Sequence, residues 1–126
     1  MKRSFPAGPP APGLARRAAA EFAAGEGADE KTLAAIALCV SEAVTNAVLH
    51  AYREADEPGE VEVEAHRPNG FLCLYVRDDG CGLKPRIDSP GLGLGLPLIS
   101  GAASAVEVRS AGAGGTELVM RFDLAA

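Results

Sequence analysis

Residues 59–65 read Gly-Glu-Val-Glu-Val-Glu-Ala, and this strict alternation constrains the fold more than any other stretch of the chain. Successive side chains of an extended strand point to opposite faces. Val61, Val63 and Ala65 therefore share one face, and Glu60, Glu62 and Glu64 share the other. Such a strand is half buried, with one apolar face that must be covered and one solvated face. Pro68-Asn69-Gly70 makes a turn, and Phe71 to Arg77 a second strand, so the two form a hairpin. Ala105 to Ser110, a glycine turn at 112–115 and Glu117 to Leu124 repeat that pattern, and Arg3 to Ala7 reads as a short edge strand stopped by prolines 6, 9, 10 and 12.

Helices supply the cover. Leu14 to Ala24 is alanine-rich, with Gly25 and Gly27 to end it. Asp29 can cap a second helix running from Lys31 to about Tyr52. Leu96 to Ser104 is a short apolar segment with Pro97 placed for a first helical turn. The order β-α-α-β-β-α-β-β predicts an α+β, two-layer sandwich: a mixed, mostly antiparallel sheet with helices on one face, in a single domain over residues 1–126.

The charge balance narrows the function classes. Twelve Lys and Arg against seventeen Asp and Glu give a net charge of −5, which argues against direct nucleic-acid or polybasic membrane binding. No apolar run is expected to approach about 20 residues, so no membrane span is expected. Cys39, Cys73 and Cys81 are odd in number, with no metal-ligand spacing. They read as reduced thiols of a cytoplasmic protein.

The second helix carries an anomaly. At about 100° per residue, Leu33, Ile36, Ala37, Val40, Val44, Ala47, Val48 and Ala51 form a stripe for the sheet. Glu42, Asn46 and His50, at i, i+4 and i+8, form a second stripe among Ala35, Cys39 and Ala43, flanked by Leu38 and Leu49. A helix apolar nearly all round is expected to be covered on both sides. A solvated stripe is the plain reading, but it explains the small apolar neighbours poorly. A ligand-facing stripe explains them, since small side chains leave room beside polar ones.

Two glycine-rich segments accompany it. Asp78-Asp79-Gly80-Cys81-Gly82 follows a strand, and Gly91-Leu92-Gly93-Leu94-Gly95-Leu96 precedes the apolar segment. Alone, the first is an Asp-Gly turn and the second a loop. Glycines also let backbone N–H groups approach a ligand, and a helix N-terminus behind them favours phosphate. Neither segment fits a dinucleotide fingerprint or a P-loop.

In order, Glu42-x-x-x-Asn46, Asp78-x-Gly80-x-Gly82, Gly91-x-Gly93-x-Gly95 and Gly115-Thr116 resemble the motifs of the GHKL ATPase superfamily. Gyrase, histidine kinases and MutL belong to it and share the Bergerat ATP-binding fold. Within it, SEAVTNAVLHAY (41–52), Phe5-Pro6-Ala7 and Leu14-Ala15-Arg16-Arg17 resemble the anti-sigma-factor serine kinases, the family of SpoIIAB and RsbW. The resemblance covers nearly the whole chain. It implies ATP and Mg²⁺ as cofactors, with Asn46 as the Mg²⁺ ligand between the phosphates and Glu42 as general base. It implies that Asp78 accepts from the adenine amino group, that Gly80 and Gly82 pass close to the base, that Gly91, Gly93, Gly95 and Leu96 cradle phosphates, and that Thr116 bonds near adenine and Asp78. His50 is either structural or a ligand contact.

The partners implied are a sigma factor, an anti-anti-sigma factor with a STAS domain, and a second copy of the chain. Arg16 falls where the family carries an arginine on its partner-facing helix. The lid segment 83–90 is short, so the contributions of Lys84 and Arg86 stay open. Two other readings fit parts of the pattern: an ATP-binding regulatory module without phosphotransfer, and a detached histidine kinase catalytic domain. The absence of an H-box-like helix pair ahead of the ATP motifs weighs against the second.

Overall fold

The computed structural model describes residues 1–51, 59–78, 103–111 and 115–124. Five strands, β1 (Lys2–Pro6), β2 (Glu60–His66), β3 (Phe71–Asp78), β4 (Ala105–Ala111) and β5 (Gly115–Asp123), form one sheet in the order β1-β2-β3-β5-β4. All four pairings are antiparallel, so the expected mixed character is not present among the described residues. Helices α1 (Ala11–Gly25) and α2 (Glu30–Asn46) pack on each other; α1 also reaches β1 and β2, and α2 reaches β3 and β5. The third expected helix falls largely at 96–102, outside the described residues.

The alternation of β2 is kept: Val61, Val63 and Ala65 are fully buried beneath the helices. Ala11, Ala15, Ala19 and Ala23 form a buried ridge at i, i+4 along α1, and these small side chains let helix and neighbours approach closely. α1 starts three residues before the expected Leu14, because Pro12 is tolerated in a first turn whose N–H groups are unpaired anyway. Its end is a Schellman turn. Gly27, at φ 90°, donates to the Ala24 carbonyl and Ala28 donates to the Ala23 carbonyl, while Gly25 stays helical. Asp29 caps α2 as expected, accepting from the Thr32 N–H at 2.8 Å.

Two expectations about α2 need correcting. It ends as an α-helix at Asn46 and continues as a π-helical turn over Ala47–Ala51. Among the described residues it is also not covered on both sides, since Leu38 and Leu49 are exposed. The expectation about apolar runs also fails, because Glu30–Leu49 is long and apolar enough to cross a membrane by length and composition. Its packing is that of a core helix, with Ile36, Cys39, Val40 and Val44 fully buried.

Candidate functional site

The face of the sheet beneath the helices changes character at one end. The β3–β5 register pairs Leu72 with Phe122, Leu74 with Met120, and Val76 with Leu118; the next pair on that face is Asp78 with Thr116. Three apolar rungs thus give way to one polar rung. Asp78 and Thr116 are each 8% exposed, and they are the only buried polar or charged side chains among the described residues. Burying a carboxylate is costly unless polar groups meet it. A carboxylate and a hydroxyl opposite each other, with Cβ atoms about 5 Å apart, place an acceptor and a donor side by side at the end of an apolar sheet face.

α2 lies over the two strands that carry this pair. Glu42 and Asn46 are half-buried, one turn apart, beside the helix face that packs on the sheet. After the helix the chain re-enters the sheet at the end where Asp78 sits, since Val61 of β2 pairs with Asp78. Cys39 and Ala43, expected beside the polar stripe, are buried in the core instead. The sheet-facing arc of α2 is wider than the stripe drawn on it and takes in both small residues. Burial pushes the Cys39 thiol up to about 11, which leaves it inert at neutral pH.

The π turn begins directly after Asn46. Its i→i+5 bonding advances fewer degrees per residue than an α-helix, so the straight line from Asn46 to His50 assumed above is not kept. Such turns recur at functional sites. The side chain of His50 lies outside the described residues, as do Gly80, Gly82, Lys84, Arg86, Gly91, Gly93, Gly95 and Leu96. Among the described residues no three His, Cys, Asp or Glu side chains cluster as a metal site.

Motif reading passes over Arg77, whose signal was three glutamates alternating on the facing strand. On the outer face its guanidinium bonds Glu62 at 2.8 Å and Glu64 at 2.6 Å across to β2, and Glu117 across to β5. Hydrogen bonds from Arg77 and His66 hold the Glu64 carboxyl down at about 2.

Residues 5–122 match the histidine kinase-like ATPase domain family. The chain belongs to that family. The anti-sigma F factor of Clostridium perfringens is 30% identical over 122 residues, covering 86% of this chain and 85% of that protein. The sensor histidine kinase PdtaS of Mycobacterium tuberculosis is 32% identical over 99 residues, 74% of this chain but 20% of that protein, so the chain spans about a fifth of that relative. Among solved structures, the RsbU and RsbW domains of a Mycobacterium tuberculosis protein superpose with a TM-score of 0.74 at 26% identity, covering 98% of this chain and 32% of that one. The histidine kinase domain of a blue-light-activated kinase from Erythrobacter litoralis gives 0.64 at 28% identity, covering 95% and 62%. The α+β sandwich with an antiparallel sheet is therefore the family's fold, within its anti-sigma-kinase-like branch, and membership implies ATP as the ligand of the domain.

Proposed function

We propose that the chain is an ATP-dependent serine/threonine kinase and anti-sigma factor, which sequesters a sigma factor and phosphorylates a STAS-domain anti-anti-sigma partner in the cytoplasm. The observation that carries this reading is the polar rung Asp78–Thr116 at the end of an apolar sheet face, beneath the helix that bears Glu42 and Asn46. The similarity to an anti-sigma F factor along nearly its full length supports the regulatory half.

Asp78 accepts a hydrogen bond from the exocyclic amino group of adenine, and a guanine would set its carbonyl against the carboxylate. Thr116 bonds alongside. Asn46 offers its amide oxygen to Mg²⁺, which when bound draws charge from the phosphates. Glu42, one turn earlier, takes the proton of the attacking hydroxyl. In this reading Gly80 and Gly82 pass close to the base, and Gly91, Gly93 and Gly95 close the phosphate end.

The test is transfer of radiolabelled γ-phosphate from ATP to purified STAS-domain proteins of the same organism. The expected result is a labelled serine or threonine, with transfer reduced on the order of 10²- to 10⁴-fold in Glu42→Gln while ATP affinity barely changes. Tight ATP binding with no transfer to any candidate would replace the kinase with a nucleotide-binding regulatory module.

A further inference from the structure

Asp78 is the last residue of β3, and Thr116 is the second of β5, so the polar rung is the last β3–β5 pair among the described residues. Terminal rungs are free to splay unless something ties them. On the opposite face, one residue back, Arg77 stands directly across from Glu62 on β2 and Glu117 on β5. Its Nη1 donates to Glu62 and Glu64, and its Nε donates to Glu117. Glu117 also lies 3.6 Å from Arg109, which carries the ladder on to β4. One planar guanidinium thus ties β2, β3 and β5 together beside the rung that carries Asp78 and Thr116.

We propose that Arg77 is a positioning residue that fixes the spacing of Asp78 and Thr116, and so sets the selectivity for adenine over guanine nucleotides. The inference rests on the reading of Asp78 as the adenine acceptor. The chemistry is that of a clamp under load. Three carboxylates converge on Arg77, and its side chain is 27% exposed against 19% for Glu64 and 16% for Glu117, so their charges are only partly screened by solvent. Without the guanidinium, Glu62, Glu64 and Glu117 repel one another across three strands and push the last rung apart. Burial disfavours the charge of Arg77, yet its bonds to the three carboxylates more than offset this, so its pKa is raised. A lysine keeps the charge but cannot bond both flanking strands with one rigid fork.

The far end of the sheet supplies the control. Arg121 bonds Asp123 at 2.9 Å and stacks 3.8 Å above Phe71; it stands opposite Cys73, about 17 Å of strand away from Asp78. Wild type, Arg77→Lys, Arg77→Met and Arg121→Met are titrated with Mg·ATP and Mg·GTP, and each is unfolded in urea. The expected result is that Arg77→Met loses about tenfold or more of its preference for ATP over GTP, the scale of a lost charged hydrogen bond. Arg77→Lys should lose less, and Arg121→Met should keep the preference whatever its stability. If Arg77→Met does not fold, Glu117→Gln, which removes one strut, is read by the same ratio. A wild-type preference retained in full by Arg77→Met, or by Glu117→Gln in its place, overturns the inference and leaves the ATP site standing. A wild type that binds neither nucleotide overturns the ATP reading itself, and one that binds both equally overturns the adenine role of Asp78; either result takes this inference with it.

Discussion

Replacing Asp78 by Asn and Thr116 by Val, singly and together, probes the polar rung most sharply. Asp78→Asn keeps the shape and removes the charge that accepts from the adenine amino group. Hydrogen bonds to a charged group contribute about 1.5–3 kcal/mol, so ATP affinity should fall about 10- to 150-fold. Thr116→Val loses a neutral bond, about 0.5–1.5 kcal/mol, or about 2- to 12-fold. The two residues are direct cross-strand partners and share one buried face, so their losses should not add. The double variant should bind ATP at least about twofold better than the product of the single losses, a coupling of about 0.5 kcal/mol or more. Calorimetric titration with Mg·ATP measures all four affinities, and urea unfolding shows that the unliganded proteins remain folded. Additivity within about 0.3 kcal/mol, or single variants that bind ATP like the wild type, would refute a shared role for the rung.

Glu64 makes stability depend on acid: its folded value near 2 lies below its ordinary 4.5, so its contribution is full above about pH 4.5 and is lost as pH falls toward 2. Urea midpoints at pH 6 and pH 3 should therefore drop less in Glu64→Gln than in wild type. Ala15→Leu places a large side chain on the buried ridge of α1 and should lower unfolding stability by about 1–3 kcal/mol in urea titrations. Arg16 is exposed on α1, and Arg16→Ala should weaken capture of sigma factor or anti-anti-sigma factor in pull-downs while leaving ATP affinity within about twofold, the scale of an ordinary surface substitution.

The hairpins and both described helices were readable because their signals are local. Alternation gave the buried face of β2, Asp29 announced the start of α2, and the glycine pair announced the end of α1, although only Gly27 takes the left-handed conformation. Three features were not readable because each depends on contacts between distant segments. The π turn after Asn46 has no propensity signature. The burial of Cys39 and Ala43 follows from how far α2 rolls toward the sheet, which small residues permit but do not announce. The clamp at Arg77 requires the register of β3 against both neighbours, and that register also puts Asp78 opposite Thr116, thirty-eight positions later. The motifs therefore named that pair before geometry joined it, whereas nothing in sequence order marked Arg77.

Amide chemical shifts of ¹⁵N-labelled protein titrated with Mg·ATP locate the bound nucleotide. Saturable shifts are expected at Glu42, Asn46, Asp78 and Thr116, with little change at Phe71, Arg121 and Asp123 at the opposite end of the sheet. Shifts confined to that opposite end, or no saturable shift at any of the four, would rule out ATP binding beneath α2 at the Asp78–Thr116 rung.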